Sequence, residues 1–173
     1  VGVIDADLGL NGGDLRAAER TWQVLSQVAG RAGRAERPGR VMLQTYLPDH
    51  PVMQTLMAAD RDSFVDQEKA ARRQHGMPPY ARLAGVIVSG ENDREVAAMA
   101  QTLGRSAPRS NDVTVLGPAP APLSILRGRY RHRLLLRARR GVDVQAVLRG
   151  WLAAVPRSNH VRIQIDVDPI SFL

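Results

Sequence analysis

Arg127-Gly128-Arg129-Tyr130-Arg131-His132-Arg133-Leu134-Leu135-Leu136-Arg137-Ala138-Arg139-Arg140 is the stretch on which the fold turns, with seven arginines and no acid. Taken at the two-residue period of a strand, it sorts by parity. Arg129, Arg131, Arg133, Leu135, Arg137 and Arg139 fall on one face. Tyr130, His132, Leu134, Leu136 and Ala138 fall on the other, which is apolar enough to pack on helices. The pattern predicts a strand over residues 129–138 with one polar face.

Outward from that strand the elements alternate. Arg82–Ser89 reads as a strand. Asn92 with Glu95 three residues on resembles a capping box, followed by Val96, Met99, Ala100 and Leu103 at helical spacing. Val113–Leu116 reads as a short strand, and Gly117-Pro118-Ala119-Pro120-Ala121-Pro122 as a stiff linker with too few backbone donors to continue a ladder. Val144, Val147, Leu148, Trp151, Leu152 and Val155 make a helical stripe, and Val161–Val167 a last strand that alternates Arg162, Gln164 and Asp166 with apolar residues. The order is β-α-β-β-α-β, a split-βαβ arrangement.

Upstream the pattern differs. Val1 to about Tyr46 reads as strand, loop, helix, loop, strand, with Leu15, Ala18, Trp22, Leu25 and Ala29 near helical spacing. This predicts the last βαβ portion of an α/β domain. Because Val1-Gly2-Val3-Ile4-Asp5 already reads as a core strand, a preceding segment is expected. Two helices are expected between residues 50 and 76, the first with Pro51 at its first position. Gly76 and Pro78-Pro79 mark the boundary. The expected division is 1–49 as the end of an α/β lobe, 50–79 as a helical linker and 80–173 as an α+β domain.

Composition narrows the function. At 44% hydrophobic and 24% charged residues the chain is globular in type. No apolar run approaches a membrane span, and the absence of cysteine excludes disulfides and Cys-ligated zinc. The +7 charge is unevenly placed: residues 1–74 hold ten basic and ten acidic residues, whereas residues 75–173 hold fourteen and seven. With a single lysine against 23 arginines, arginine content alone does not signify phosphate recognition. His50, His75, His132 and His160 are too scattered for a metal site or catalytic dyad.

Gln27-Val28-Ala29-Gly30-Arg31-Ala32-Gly33-Arg34 is the most specific local motif. Arg31 and Arg34, three apart at the end of a helix, suit neutralisation of a γ-phosphate in phosphoryl transfer. Gly30 and Gly33 allow close backbone approach, and Gln27 is placed to fix a nucleotide or the adjacent arginine. The plainer alternative is a glycine-rich helix end with arginines near the C-terminal dipole. The sequence has no GxxxxGK[ST] phosphate loop, so a complete nucleotide site is not expected and ATP hydrolysis by this chain alone is not either.

The Gln27–Arg34 pattern resembles motif VI of superfamily-2 helicases. Asp5-Ala6-Asp7-Leu8-Gly9-Leu10-Asn11 with Arg16-Ala17-Ala18-Glu19-Arg20 resembles motif V of the same lobe. Together with Pro78-Pro79-Tyr80, the Gly117–Pro122 run, Arg127-Gly128-Arg129-Tyr130-Arg131 and the ending Asp166–Leu173, the chain resembles the C-terminal part of the PriA family of bacterial replication-restart helicases. It departs from the family pattern in having Gly12-Gly13 where a proline usually precedes the residue that is Asp14 here. The resemblance implies a remnant of a RecA-like helicase lobe followed by a ribosomal-protein-like module. It implies an ATP-dependent 3′-to-5′ DNA helicase that binds stalled forks and starts primosome assembly. It also implies ATP, magnesium and structural zinc in the longer protein, the zinc in a segment absent from this sequence. Expected partners are forked and single-stranded DNA, primosome proteins and single-stranded-DNA-binding protein, in the cytoplasm.

Arg127, Arg129, Arg131, Arg133 and Arg137 are the candidate DNA contacts, a row of guanidinium groups suited to phosphates. The alternative is an open face whose arginines pair with acids of a neighbouring strand such as Val161–Val167, or dock on another protein surface. A non-enzymatic nucleic-acid- or protein-binding module is the competing class. A ribosome-associated protein would leave Gln27–Arg34 without a purpose.

Overall fold

The computed structural model describes residues 1–10, 14–32 and 39–170. They fall into two units, Val1–Ala71 and Arg72–Leu173. Mixed helices and sheets build both, as the two hydrophobic periods require.

In the first unit β1 (Gly2–Val3) and β2 (Met42–Leu43) pair in parallel, Val3 opposite Leu43. Parallel neighbours need a crossover, and α1 (Ala17–Arg31) supplies it. Asp14 tethers the start of α1 by accepting from the Arg16 N–H and pairing with Arg20 at 2.6 Å. Then come α2 (Pro51–Met57) and α3 (Arg61–Gln74). The His50 side chain accepts from the Val52 N–H at 3.2 Å, and Pro51 follows where no amide donor is needed.

The stretch 50–79 does not stand apart as a linker. Val52 and Met53 of α2 and Phe64 of α3 share a buried core with Ala6 and Leu25, and Trp22 of α1 stacks on Phe64 at 5.4 Å. A two-stranded sheet with one helix has too little apolar surface to close a core, so α2 and the first part of α3 complete it. Asp7 is only 4% exposed. Its carboxylate accepts from the Thr45 hydroxyl and from the Tyr46 N–H, fastening the end of β2 to the turn after β1.

The second unit runs β3 (Ala81–Gly90), α4 (Asp93–Arg105), β4 (Val113–Leu126), β5 (Arg129–Arg139), α5 (Val144–Ala153) and β6 (Val161–Val167). The four strands form an antiparallel sheet in the order β4-β5-β3-β6. Alternation sends Val86 and Val88 of β3 and Leu134, Leu136 and Ala138 of β5 into a core with Val96, Ala100 and Leu103 of α4 and Leu148 and Trp151 of α5. Asn92 caps α4 by accepting from the Arg94 and Glu95 N–H groups, and Asp143 caps α5 by accepting from Ala146 N–H.

The Gly117–Pro122 segment is not a linker. It lies within β4, which crosses it with two register shifts, between Leu116 and Ala119 and between Pro120 and Ile125. The physical reason is position: β4 is an edge strand, where prolines need not donate to a second neighbour. Close packing also fixes the segment. Gly117 has φ +98°, and a Cβ there would stand 2.8 Å from the Arg133 carbonyl, while one on Gly104 of α4 would meet Pro118 Cδ at 2.8 Å.

Two carboxylates are held below the usual range. Asp60 is lowered by the Ser63 hydroxyl and N–H at the start of α3. Asp168 is lowered by its hydrogen bonds from Arg82, at 2.6 Å for the shortest, which fasten the end of β6 to β3. A depressed folded-state pKa contributes stability that is present above the unfolded value, near 3.8, and lost as pH falls through the folded value. Urea midpoints should therefore drop as pH falls below about 4, and Asp168→Asn should shrink that acid-dependent loss.

Candidate nucleic-acid interface

The polar face of β5 meets solvent, and strand order decides its electrostatics. β3, not β6, lies beside β5, with β4 on the other side. Neither β3 nor β4 contains an acid. Asp166 of β6 is thus a strand removed, opposite Gly85 of β3, which in turn faces Leu135 of β5. The pairing of the arginine row with acids of β6 is not what the sheet provides. Arg131 stands opposite Ser89, and Ser89 opposite Arg162; in the next layer Arg133, Ile87 and Gln164 line up.

At the Arg131–Ser89–Arg162 layer opens a groove of about 370 Å³, lined among others by Ser89, Arg127, Arg129, Arg131, Arg162 and Gln164, with Arg133 the next arginine along β5. No described carboxylate pairs with Arg127, Arg131, Arg133 or Arg162. Arg129 reaches Glu91 at 3.5 Å, but the glutamate side chain is 85% exposed, so water and salt weaken that pair. Alternate arginines on one strand are roughly 6.7 Å apart. That is close to the spacing of successive phosphates along an extended nucleic-acid strand. Arg162 and Gln164 were visible in sequence as polar positions of β6. Their membership of the groove depends on the sheet order.

Arg127 occupies the tip of the β4–β5 hairpin, where Leu126 pairs with Arg129 across a two-residue turn. Both turn residues have positive φ, +51° for Arg127 and +73° for Gly128, the combination that favours Asn-Gly rather than Arg-Gly. An arginine in that conformation is strained. Arg137 belongs elsewhere. Its guanidinium donates to the His75 carbonyl at 2.8 Å, at a separate pocket of about 490 Å³ that Arg73 and Tyr80 also line. Tyr130 packs against the core and His132 approaches Asp93 at 3.7 Å, so neither offers a ring to the groove.

In the first unit Gln27, Gly30 and Arg31 are exposed on the last turns of α1, and a Cβ on Gly30 would meet nothing within 4 Å. Gly33 and Arg34 lie outside the described residues. Among the described residues there is no group of three or more His, Asp or Glu side chains that could hold a metal ion. No described helix is long and apolar enough to cross a membrane.

Residues 73–170 match the family model for the Primosomal protein N C-terminal domain. The chain is 45% identical over 172 residues to Replication restart protein PriA of Rickettsia felis, covering 99% of this chain and 26% of the relative. It is 41% identical over 175 residues to Replication restart protein PriA of Synechocystis, covering 99% and 21%. It is 38% identical over 174 residues to the protein of that name from Bacillus subtilis, covering 98% and 22%. The chain spans about a quarter of the length of the curated relatives it matches.

Proposed function

The chain belongs to the PriA family of replication restart proteins, and from that premise we propose that its second unit binds the sugar-phosphate backbone of DNA during replication restart. The observation that carries this reading is the groove across β5, β3 and β6 whose arginines, Arg129 excepted, have no described carboxylate partner. Guanidinium groups there meet phosphates with paired, charge-assisted hydrogen bonds. With no aromatic ring among the described residues of that face, we read binding as tracking the backbone rather than stacking bases. We read the β-α-β-β-α-β unit as the split-βαβ module and the first unit as the end of a RecA-like helicase lobe. The parallel β1–β2 pair with its helical crossover supports the second reading, as do the exposed Ile4, Leu8, Val24 and Met42 around so small a sheet.

On this account the longer protein is an ATP-dependent 3′-to-5′ DNA helicase that acts at forks in the cytoplasm, with primosome proteins and single-stranded-DNA-binding protein as partners. ATP, when bound, supplies the phosphoryl-transfer step that drives lobe movement. Arg31 and Arg34 would sense its γ-phosphate from this chain's side, Gln27 would fix the nucleotide or the adjacent arginine, and Gly30 and Gly33 would let that surface approach. On the same resemblance the longer protein uses magnesium and a structural zinc, the zinc in a segment absent from this sequence.

The test is fluorescence anisotropy of this chain with a labelled thymidine oligonucleotide and with forked DNA across a salt series. Binding whose logarithm falls linearly with log salt supports the reading; salt-independent binding, or none, overturns it. Arg127→Asn separates the turn from the ligand. Relief of the strained turn should stabilise the chain by up to about 1 kcal/mol in thermal melts, while DNA affinity falls.

A further inference from the structure

The two edges of the second unit's sheet are built differently. β4 carries Pro118, Pro120 and Pro122 and two register shifts, devices that stop another strand from pairing. β6, at the opposite edge, has β3 on one side and no described strand on the other. It has no proline, no glycine and no register shift along its seven residues. Beside it, toward α5, runs a groove of about 680 Å³ whose lining includes Leu152, Val161, Ile163 and Ile165. Ile165 is 39% exposed there. Arg149 on α5 and Arg157 in the loop before β6 line the same groove, and no acid does.

We infer that the free edge of β6 is a docking site for an extended peptide that adds as a fifth strand, with apolar residues over Ile163 and Ile165 and acidic residues toward Arg149 and Arg157. Strand addition takes its affinity from backbone hydrogen bonds and its selectivity from pockets for alternate side chains. The edge supplies the first and the groove the second. Charge complementarity selects the partner. A second copy of this chain would bring its own Arg149 and Arg157 against the same pair, whereas an acidic segment neutralises them. The site is separate from the DNA groove, which uses the opposite face of the sheet, so the two proposals stand or fall independently.

The probe is the heptapeptide Asp-Ser-Ile-Ser-Ile-Ser-Asp, capped at both ends, titrated into the full 173-residue chain. Its first, third, fifth and seventh side chains face the groove when it pairs with β6. Binding is expected, with amide shift changes concentrated on β6 and the end of α5. Arg149→Glu with Arg157→Glu should weaken it at least tenfold and turn preference to the peptide with Lys at both ends. Both arginines sit at the surface, so folding should survive the exchange. A peptide with alternate amides N-methylated on its pairing edge should not bind. Equal binding by the methylated peptide, indifference to charge reversal, or no binding at all would overturn the proposal. So would a dimer in sedimentation that Ile165→Lys dissolves, because the occupant would then be a second copy.

Discussion

Changing Arg129, Arg131 and Arg133 together to Ala is expected to lower affinity for a thymidine oligonucleotide by about 100-fold at low salt, each charge-assisted contact being worth roughly 1 kcal/mol or more. The salt slope should flatten by about 2, since each single-strand phosphate contact releases about 0.7 of a counterion. The three side chains lie on the face opposite the buried Leu134, Leu136 and Ala138, so their loss removes no core contact. Alanine is a poor strand former, and a second variant with Thr at the three positions keeps the β-propensity. If the Thr variant melts like the wild type and still loses binding, the effect is electrostatic. Arg139→Ala serves as the comparison, because Arg139 lies at the far end of the strand, outside the groove's lining and beside Asp112 at 3.3 Å.

The largest loss of stability is expected at Trp151. Its ring is buried between α4 and α5, and its indole N–H donates to the Leu103 carbonyl at 3.1 Å. That carbonyl belongs to the last turn of α4, where helix geometry leaves acceptors without an amide partner. Trp151→Ala removes both the ring and the donor and should cost about 3–5 kcal/mol in urea unfolding. Trp151→Phe keeps most of the packing and should cost about 1 kcal/mol, the net worth of the lost hydrogen bond, because the Ser106 hydroxyl can still donate to that carbonyl at 3.3 Å. A Phe variant as unstable as the Ala variant would mean that the hydrogen bond, not the packing, dominates.

Much of the second unit was legible because its periods are clean. The arginine strand sorts by parity, Asn92 announces α4, and the Val144–Val155 stripe announces α5. The Gly117–Pro122 segment was misread because a proline in a strand is forbidden only where its nitrogen faces a partner. Sequence alone does not say which strand lies at an edge. The same gap hid the character of the groove. Parity placed Arg162, Gln164 and Asp166 on the arginine face, but only the order β4-β5-β3-β6 shows that Asp166 is too far across the sheet to neutralise β5. Arg137 shares the parity of the row, yet the His75 carbonyl claims it, a contact across 62 positions that no local pattern encodes. In the first unit the helices at 50–74 were visible as helices. Their packing partners were not, since apolar spacing on α2 says which face is buried and not against what.

The most direct test of the central claim is the side-chain N–H NMR spectrum of the labelled chain, with its arginine resonances assigned, titrated with a thymidine oligonucleotide. Arg131, Arg133 and Arg162 should shift together with one affinity, while Arg139 and Arg149 stay in place. Movement of Arg139 or Arg149 with the groove arginines unchanged would put the DNA elsewhere and contradict the account.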